Sequence, residues 1–366
     1  MAQSSNDLKI VIFCGGGGTR IWPISRNAKP KQFQPLVGEK STFQTMVEDL
    51  QRAFSPSAIF PITKKDYVDF IASQAPFIPH ENILIEPDAR DTFAAVGFAA
   101  AILNNMFVNP TIVSLWSDHT ITNKDKFVEV IGIAGKLAQE ESALVDIAAR
   151  PTFPSTQLGY LQIGKAVRQI NGMGVFQFVR QVEKPDYQRA REMLKLWDYV
   201  WHIGYKAWQA EVMLSLYQQL QPDAYQHLQA IVGERQRGDE RKVLKEYSAI
   251  PKSSVDYAIY VKADKQKHLV VLADLGWSDI GAWDVLKDEL SENKEGNVVS
   301  GNIEIIDLKD CLVYGLEHQK LVAAIGLEGL VIVDTPDVLL VCSKDRAQDV
   351  KKMVEKLKEE GKDKYL

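Results

Sequence analysis

A run of glycines followed by basic residues is the part of the sequence whose residue types point most directly to chemistry. The apolar run 10–14 is followed by Gly15, Gly16, Gly17 and Gly18. Glycines after a strand let backbone N–H groups approach phosphate oxygens, because no side chain stands in the way. Four cations follow within residues 20–31, namely Arg20, Arg26, Lys29 and Lys31. Bare backbone beside concentrated positive charge indicates a site for a triphosphate.

Two other phosphate-binding patterns do not fit this loop. A P-loop has the triplet Gly-Lys-Ser/Thr starting five residues after the first glycine, where this chain has Arg20, Ile21 and Trp22. The dinucleotide fingerprint requires a third glycine that opens a helix and an acidic residue ~20 positions later, whereas Pro23 follows this loop. The spacing therefore argues against a nicotinamide-dependent dehydrogenase.

Short apolar runs alternate with helix-like stretches over most of the chain. After the run 10–14, further runs lie at 58–62, 83–85, 111–115, 144–148, 175–182 and 268–272. Continuous apolar runs are typical of parallel strands covered on both faces, and their alternation with helices predicts a doubly wound α/β fold with a mostly parallel sheet. The segment 187–250 is rich in Gln, Leu and Glu and is predicted to be helical.

The composition changes near residue 290. A polar stretch at 291–297 resembles a linker, and short β-rich segments separated by glycines follow up to residue 341. The chain ends in a charged amphipathic stretch with Val350, Val354 and Leu357 on one helical face. We therefore predict a catalytic domain over 1–290 and a small β-rich domain over 291–366 that ends in a charged helix.

Composition and charge exclude several classes of protein. The 366 residues include 43 Lys and Arg against 48 Asp and Glu, and this net charge of −5 argues against a nucleic-acid or membrane-surface binder. Three dispersed cysteines, Cys14, Cys311 and Cys342, make structural zinc and a disulfide framework improbable. No apolar run approaches the ~18 residues of a membrane span, and residues Met1 to Asp7 are polar. A cytoplasmic protein is the expectation.

Five short motifs, the first of them in two parts, occur in the order of one known family. Gly-Gly-Gly-Gly-Thr-Arg at 15–20 is followed by Pro-Lys-Gln-Phe at 30–33. Further along come Glu-Pro-Asp-Ala-Arg-Asp-Thr at 86–92, Ser-Asp-His at 117–119, Glu-Lys-Pro at 183–185 and Trp-Ser-Asp-Ile-Gly at 277–281. Together these motifs resemble the sugar-1-phosphate nucleotidyltransferases, and in particular their mannose-1-phosphate guanylyltransferase branch. The resemblance extends over essentially the whole chain.

The resemblance implies a fold and a reaction. The fold would be a Rossmann-like, GT-A-like nucleotidyltransferase domain with a small C-terminal domain resembling a short left-handed β-helix, which often forms a homodimer. The reaction would join GTP and α-D-mannose 1-phosphate to give GDP-mannose and pyrophosphate, with Mg²⁺ as cofactor. The nucleophile is already an anion, so the chemistry needs alignment and charge neutralisation rather than a general base.

The resemblance also implies which residues bind the nucleotide. The loop Gly15, Gly16, Gly17, Gly18 and Thr19 would hold the phosphates. Arg20 would bind the outgoing β- and γ-phosphates, and Lys31 would lie near the α-phosphate. Glu86 would read guanine, because a carboxylate can accept from both donors on one edge of that base. Arg90 is a secondary candidate, since it could also pair with Asp91.

Two aspartates are the candidate metal ligands. Asp118 and Asp279 each follow an apolar or aromatic stretch, as expected at the carboxyl end of a strand, where open α/β sheets bind ligands. Mg²⁺ is usually held by one or two carboxylates plus substrate phosphates. Asp118 could alternatively cap a helix. His119 is expected to be a neighbour rather than a ligand.

The sugar-phosphate residues include one departure from the family pattern. By resemblance, Glu183 would accept from hexose hydroxyls, Lys184 would neutralise the attacking phosphate, and Gly159 would allow close approach of the sugar. The branch usually carries Trp-Asn-x-Gly where this chain has Trp-His-Ile-Gly at 201–204. His202 can donate and accept, and it can titrate near neutral pH.

The sequence leaves two alternatives open. The enzyme could use another hexose 1-phosphate or another base, since His202, Phe93 and Trp116 all depart from the branch pattern. The protein could also be a non-catalytic sensor of NDP-sugars that kept the fold. The joint presence of Arg20, Lys31, Asp118, Lys184 and Asp279 favours the enzyme.

Overall fold

The computed structural model describes residues 8–291, 293, 295–317 and 319–366. The polar segment Met1 to Asp7 and two positions of the predicted linker, Glu292 and Lys294, lie outside the described residues. By packing, the chain divides into two compact units. Unit 1 comprises Met1–Gly15, Val47–Trp116 and Ile121–Trp277, and unit 2 comprises Gly16–Met46, Ser117–Thr120 and Ser278–Leu366.

Strands and helices follow one another along the described residues. The strands are β1 (Leu8–Phe13), β2 (Ile59–Thr63), β3 (Leu84–Ile85), β4 (Thr111–Trp116), β5 (His119–Ile121), β6 (Leu144–Ala149), β7 (Gly159–Ile170), β8 (Met173–Val182), β9 (Tyr199–Gln209), β10 (His268–Leu272), β11 (Trp277–Asp279), β12 (Val298–Ser300), β13 (Ile303–Ile306), β14 (Leu312–Gly315), β15 (Val322–Ile325), β16 (Leu330–Asp334) and β17 (Leu339–Ser343). The helices are α1 (Thr42–Gln51), α2 (Val68–Gln74), α3 (Asp91–Met106), α4 (Lys124–Glu141), α5 (Tyr187–Leu194), α6 (Ala210–Leu220), α7 (Pro222–Arg237), α8 (Glu240–Ala249), α9 (Val255–Ala258), α10 (Trp283–Leu290) and α11 (Val350–Glu359).

Unit 1 is built around one mixed sheet. Within its described residues, nine strands lie in the order β3-β2-β1-β4-β9-β6-β10-β8-β7. Strands β1 to β4 are parallel, as are β6 and β10, whereas β8 and β9 run against their neighbours. The predicted α/β fold with a mostly parallel sheet is confirmed.

Buried apolar residues on both faces explain the continuous runs in the sequence. Residues 10–13 of β1 are all buried, and α3 is buried along nearly all of its apolar length. An element covered on all sides needs no polar face, which is why these segments show no alternation. The main core of unit 1 includes Phe60, Phe98, Trp208, Tyr217 and Tyr247.

One prediction about secondary structure is wrong. The composition of the segment 187–250 predicts helix throughout, but residues Tyr199–Gln209 form β9 in the middle of the sheet. This stretch contains Tyr199, Val200, Trp201 and Ile203, and β-branched and aromatic residues pack well on a pleated surface. The average composition of the longer segment hides them.

Unit 2 contains a short coil of parallel strands. In its described part, β12, β14 and β16 pair in parallel, β17 adds to them antiparallel, and β13 pairs in parallel with β15. Successive strands thus alternate between two sheets, as in a β-helix. The left-handed sense predicted for this coil and the domain boundary predicted at residue 290 stay predictions. The predicted terminal charged helix corresponds to α11.

Across the described residues, none of the helices is both long and apolar enough to cross a membrane.

Candidate active site

The glycine loop of unit 2 needs glycine at one position above all. Gly18 has φ +54°, and a Cβ there would lie 2.6 Å from Ser25 Oγ and 2.8 Å from Lys31 Cγ. Ser25 Oγ also donates to the Gly17 carbonyl oxygen (2.9 Å) and accepts from the Lys31 backbone N–H (3.0 Å). The loop is therefore folded tightly against the segment that carries Lys31.

Lys31 is a buried cation between two carboxylates. It opens a 3₁₀ turn, Lys31–Phe33, and is 8% exposed. Its Nζ lies 2.7 Å from Asp118 Oδ2 and 3.7 Å from Asp279 Oδ1, and it donates to the Ile280 carbonyl oxygen at 3.2 Å. Burial acts to lower the pKa of the Lys31 ammonium, but the two carboxylates outweigh it, so this pKa lies above its ordinary value. Lys31 is therefore charged at neutral pH.

Asp118, one of these two carboxylates, lies between the Lys31 ammonium and the ring of His119. Burial acts to raise the pKa of Asp118, yet the Lys31 ammonium lowers it to about 2. The neighbouring His119 has its pKa lowered, chiefly by burial, so its ring is neutral at pH 7. Its Nε2 lies 3.9 Å from Asp118 Oδ1.

These carboxylates fit a hard divalent cation. Asp118 and Asp279 both reach one ammonium nitrogen within 4 Å, so both can also reach one metal ion. Among the described residues, no group of three or more His, Cys, Asp or Glu side chains could hold a metal alone. An oxygen donor set with few protein ligands is typical of Mg²⁺, which keeps waters and substrate phosphates as its other ligands.

Arg20 lies in the same unit and has a fixed partner. It follows Gly18 in a short 3₁₀ turn, Thr19–Ile21, and its Nη1 donates to Gln348 Oε1 at 3.0 Å. A Cβ on Gly281 would lie 3.1 Å from Arg20 Nη2 and 3.3 Å from Asp279 Oδ1. The absence of a side chain at Gly281 therefore leaves room for the guanidinium near Asp279.

Glu86, in unit 1, is held by a tyrosine. It follows β3, and its backbone N–H donates to the Thr63 carbonyl oxygen at 2.8 Å. Tyr247 donates its hydroxyl to Glu86 Oε1 at 2.7 Å, and burial raises the pKa of the Glu86 carboxyl. The Arg90 Nε pairs with Asp88 Oδ2 at 3.0 Å rather than with Asp91.

Three of the predicted sugar residues meet in unit 1. Gly159 on β7 is paired with His202 on β9. A Cβ on Gly159 would lie 2.7 Å from Glu183 Oε2 and 3.4 Å from the His202 Cβ, so glycine is what lets Glu183 approach. Lys184 is exposed and has φ +42°, an uncommon backbone conformation for a residue with a side chain.

His202 belongs to a buried network of charges. Its Nε2 lies 3.0 Å from Asp256 Oδ1 and its Nδ1 lies 3.4 Å from Asp146 Oδ1. Asp146 in turn pairs with the Lys206 ammonium at 2.5 Å. Burial acts to lower the pKa of His202, but the carboxylates of Asp146 and Asp256 beside its ring raise it to about 9. The ring is therefore an imidazolium at neutral pH, with a carboxylate at each nitrogen.

The raised pKa of His202 predicts a dependence of stability on pH. The folded value of about 9 exceeds the ordinary value of 6.5, so the stabilisation is complete below pH 6.5 and is lost as pH rises through 9. We expect the free energy of unfolding of wild type to exceed that of His202→Asn by the largest amount at low pH. About 3 kcal/mol of this difference should be lost above pH 9. Urea unfolding across this range checks it. The exposed His80→Asn is the control, and a margin that does not change with pH would contradict the assignment.

Comparison with known proteins decides the family. A model described as Nucleotidyl transferase matches residues 9–295, and one described as a MannoseP isomerase/GMP-like beta-helix domain matches residues 301–357. The chain belongs to the nucleotidyl transferase family.

Similarity extends over nearly all of this nucleotidyltransferase. It is 35% identical over 359 residues to a mannose-1-phosphate guanylyltransferase of Escherichia coli and 34% identical over 359 residues to one of Klebsiella pneumoniae. In both cases 97% of this chain and 75% of the relative are covered. A solved structure described as a mannose-1-phosphate geranyltransferase from Thermus thermophilus has a TM-score of 0.84 and 29% identity, covering 96% of this chain and 99% of that one. The resemblance seen in the motifs is confirmed.

The nucleotidyltransferase brings some predicted residues together within each unit. Arg20, Lys31, Asp118 and Asp279 cluster in unit 2, and Gly159, Glu183 and His202 cluster in unit 1. Glu86 and Arg90 have other partners. Glu86 accepts a hydrogen bond from Tyr247, and Arg90 donates one to Asp88. Gln348, Asp146 and Asp256 were not predicted from the sequence, because nothing in the spacing of an isolated Gln or Asp reveals its partner.

Proposed function

We propose that this nucleotidyltransferase transfers GMP from GTP to α-D-mannose 1-phosphate, giving GDP-mannose and pyrophosphate. The observation that carries the proposal is the similarity over 97% of the chain to proteins named mannose-1-phosphate guanylyltransferase. The cluster of Arg20 and Lys31 with two aspartates supports it, because this reaction needs cations and metal-binding carboxylates near phosphate.

The proposed reaction is one displacement at phosphorus. A phosphate oxygen of mannose 1-phosphate forms a bond to the α-phosphorus of GTP, and the bond from that phosphorus to the bridging oxygen of the β-phosphate breaks. Pyrophosphate leaves with that electron pair, so no proton must be removed from the nucleophile. The obstacle is repulsion between anions, which cationic side chains reduce.

Each cation has a proposed part in this step. The Lys31 ammonium, charged and buried, would bind oxygens of the α-phosphate, where negative charge builds up. Arg20 would bind the departing β- and γ-phosphates, and the backbone of Gly16 to Thr19 would cradle them. Lys31 must then exchange part of its contact with Asp118 for contact with phosphate.

Asp118 and Asp279 would hold Mg²⁺. When bound, Mg²⁺ would supply positive charge that offsets the negative charge of the phosphate oxygens. Asp279→Asn is expected to raise the Mg²⁺ concentration for half-maximal rate at least about tenfold, because one anionic ligand becomes neutral. A titration of Mg²⁺ at saturating substrates measures this. The surface variant Asp288→Asn is the control, and an unchanged titration for Asp279→Asn would remove it from the ligand set.

Other residues are proposed to recognise the base and the sugar. Glu86 would accept from the donor edge of guanine through the oxygen that Tyr247 does not engage. Arg90 remains a secondary candidate. For the sugar phosphate, Glu183 would accept from hexose hydroxyls, Lys184 would neutralise phosphate charge, and Gly159 and His202 would shape the surface. A cytoplasmic location and a homodimer stay predictions.

A substrate screen tests the proposal. Each common NTP is combined with the 1-phosphates of mannose, glucose and galactose, and pyrophosphate release is measured with Mg²⁺. We expect the highest kcat/KM for GTP with mannose 1-phosphate. A second candidate is transfer to another hexose 1-phosphate, which the imidazolium at His202 favours because the family usually has a neutral amide there. Activity only with UTP or dTTP would contradict the guanine assignment, and GDP-sugar binding without turnover would indicate a sensor.

A further inference from the structure

The loop that carries Arg20 is tied to the last part of the chain. Three of its side chains contact residues beyond position 330, all within unit 2. Arg20 Nη1 donates to Gln348 Oε1 at 3.0 Å, and Trp22 Nε1 donates to the Tyr365 carbonyl oxygen at 2.7 Å. Arg26 forms a two-fold contact with the Asp337 carboxylate at 2.8 and 2.6 Å. The segment that carries Arg20 is therefore held in part by contacts with the last part of the chain.

Gln348 differs from the other two partners because it contacts a side chain proposed to bind substrate. It lies on the 3₁₀ helix Lys344–Asp349, whose position is fixed by the neighbouring Ala347 and Val350. Both of these are buried, at 0% and 4% exposure, in the apolar core of unit 2. The backbone under Gln348 is thus anchored independently of Arg20.

The orientation of the Gln348 amide is fixed by its two ends. Its Nε2 donates to Asp284 Oδ1 at 3.0 Å and to Asp284 Oδ2 at 3.1 Å. A carboxylate can only accept and a guanidinium can only donate, so the amide NH₂ must face Asp284 and the amide oxygen must face Arg20. The result is a row of three groups, carboxylate, amide and guanidinium.

This arrangement places a neutral group between opposite charges. If Arg20 paired directly with Asp284, its positive charge would be compensated and less of it would be available for phosphate. The Gln348 amide accepts one N–H of Arg20 and donates to the Asp284 carboxylate. Because the amide is neutral, it cancels neither charge. We propose that Gln348 is a positioning residue, which holds the Arg20 guanidinium in place and keeps it separated from the Asp284 carboxylate so that Arg20 can bind the outgoing pyrophosphate.

This inference rests on the proposed role of Arg20, and the isosteric change Q348E tests it. A glutamate keeps the shape of the side chain, so a purely steric role would survive. By contrast, its carboxylate would pair with Arg20 and repel Asp284. The matched control is R346A, on the same short helix, because Arg346 is exposed and, within the described residues, its guanidinium pairs with Asp349 and not with Arg20 or Asp284.

The probe is inorganic pyrophosphate with Mg²⁺, titrated calorimetrically into the full-length protein. We expect Q348A to weaken pyrophosphate binding about fivefold, the equivalent of one hydrogen bond, and Q348E to weaken it about tenfold or more. R346A should stay within about twofold of wild type. Thermal unfolding of each variant checks the fold, and if Q348E is unfolded at the assay temperature, Q348A decides alone.

A double-mutant cycle shows whether Gln348 acts through Arg20. In the R20A background, Q348E should have no further effect on pyrophosphate binding, because the group it positions is gone. Three results would each overturn the inference. Q348E could bind pyrophosphate with wild-type affinity, the loss caused by Q348E could persist in the R20A background, or the wild-type protein could fail to bind pyrophosphate. Failure of the proposed function is a separate result, since wild type could bind pyrophosphate through Arg20 and still not use GTP or mannose 1-phosphate.

Discussion

Replacing Lys31 with methionine is expected to lower kcat about 10²- to 10³-fold, the usual cost of removing one preorganised group that stabilises developing charge. Methionine keeps much of the side-chain volume but removes the ammonium that lies 2.7 Å from Asp118. The charge at this point would change from a cation between two carboxylates to two carboxylates alone, so an incoming phosphate would be repelled. Pyrophosphate release at saturating GTP and mannose 1-phosphate measures kcat.

The control for Lys31 is Lys65→Met, outside the segment of the glycine loop. Lys65 is exposed, whereas Lys31 is 8% exposed, so the same chemical change at Lys65 should alter kcat by less than about threefold. Thermal unfolding shows whether Lys31→Met remains folded. A folded Lys31→Met with near-normal kcat would contradict the role given to this ammonium, whatever its effect on KM.

Removing Asp146 is expected to have the largest effect on stability. Asp146 is fully buried, and its carboxylate faces the Lys206 ammonium, which is also fully buried, and the ring of His202. Breaking a buried ion pair by deleting one partner costs about 3–5 kcal/mol, because the other charge loses its compensation. We therefore expect Asp146→Ala to lower the free energy of unfolding by about that amount. Urea unfolding at neutral pH measures it.

Two further variants show whether charge compensation is the cause. Lys206→Met in the Asp146→Ala background should recover part of the loss, because the buried cation is removed as well. Asp66→Ala breaks an exposed pair with Lys64 and should cost less than about 1 kcal/mol. A loss below about 1 kcal/mol for Asp146→Ala would mean that Lys206 does not depend on this carboxylate.

The sheet of unit 1 was largely predictable, because its central strands are apolar on both faces. The runs at 58–62, 83–85, 111–115, 144–148, 175–182 and 268–272 all correspond to strands of the sheet. Strands β7 and β9 were not predicted. The second half of β7 is partly exposed and includes polar residues, so it lacks a continuous apolar run. Strand β9 lies in a segment whose overall composition is that of a helix.

Residues of the candidate site could be predicted only where they lie in a recognisable motif. Lys31, Asp118 and Asp279 were found by resemblance, but their convergence on one point could not be derived from spacing, since the three are far apart in sequence. The partner of Arg20 lies 328 residues away, in a helix without any recognisable pattern. Likewise, the pKa of His202 depends on Asp146 and Asp256, which only the folded chain brings to its ring.

The most direct test of the account is a crystal structure of the protein with Mg²⁺ and the slow analogue α,β-methylene GTP. We expect the analogue's β- and γ-phosphate oxygens within hydrogen-bonding distance of the Arg20 guanidinium, and an α-phosphate oxygen at the Lys31 ammonium. Well-ordered nucleotide bound elsewhere, with Lys31 still paired to Asp118 and the glycine loop untouched, would contradict the account.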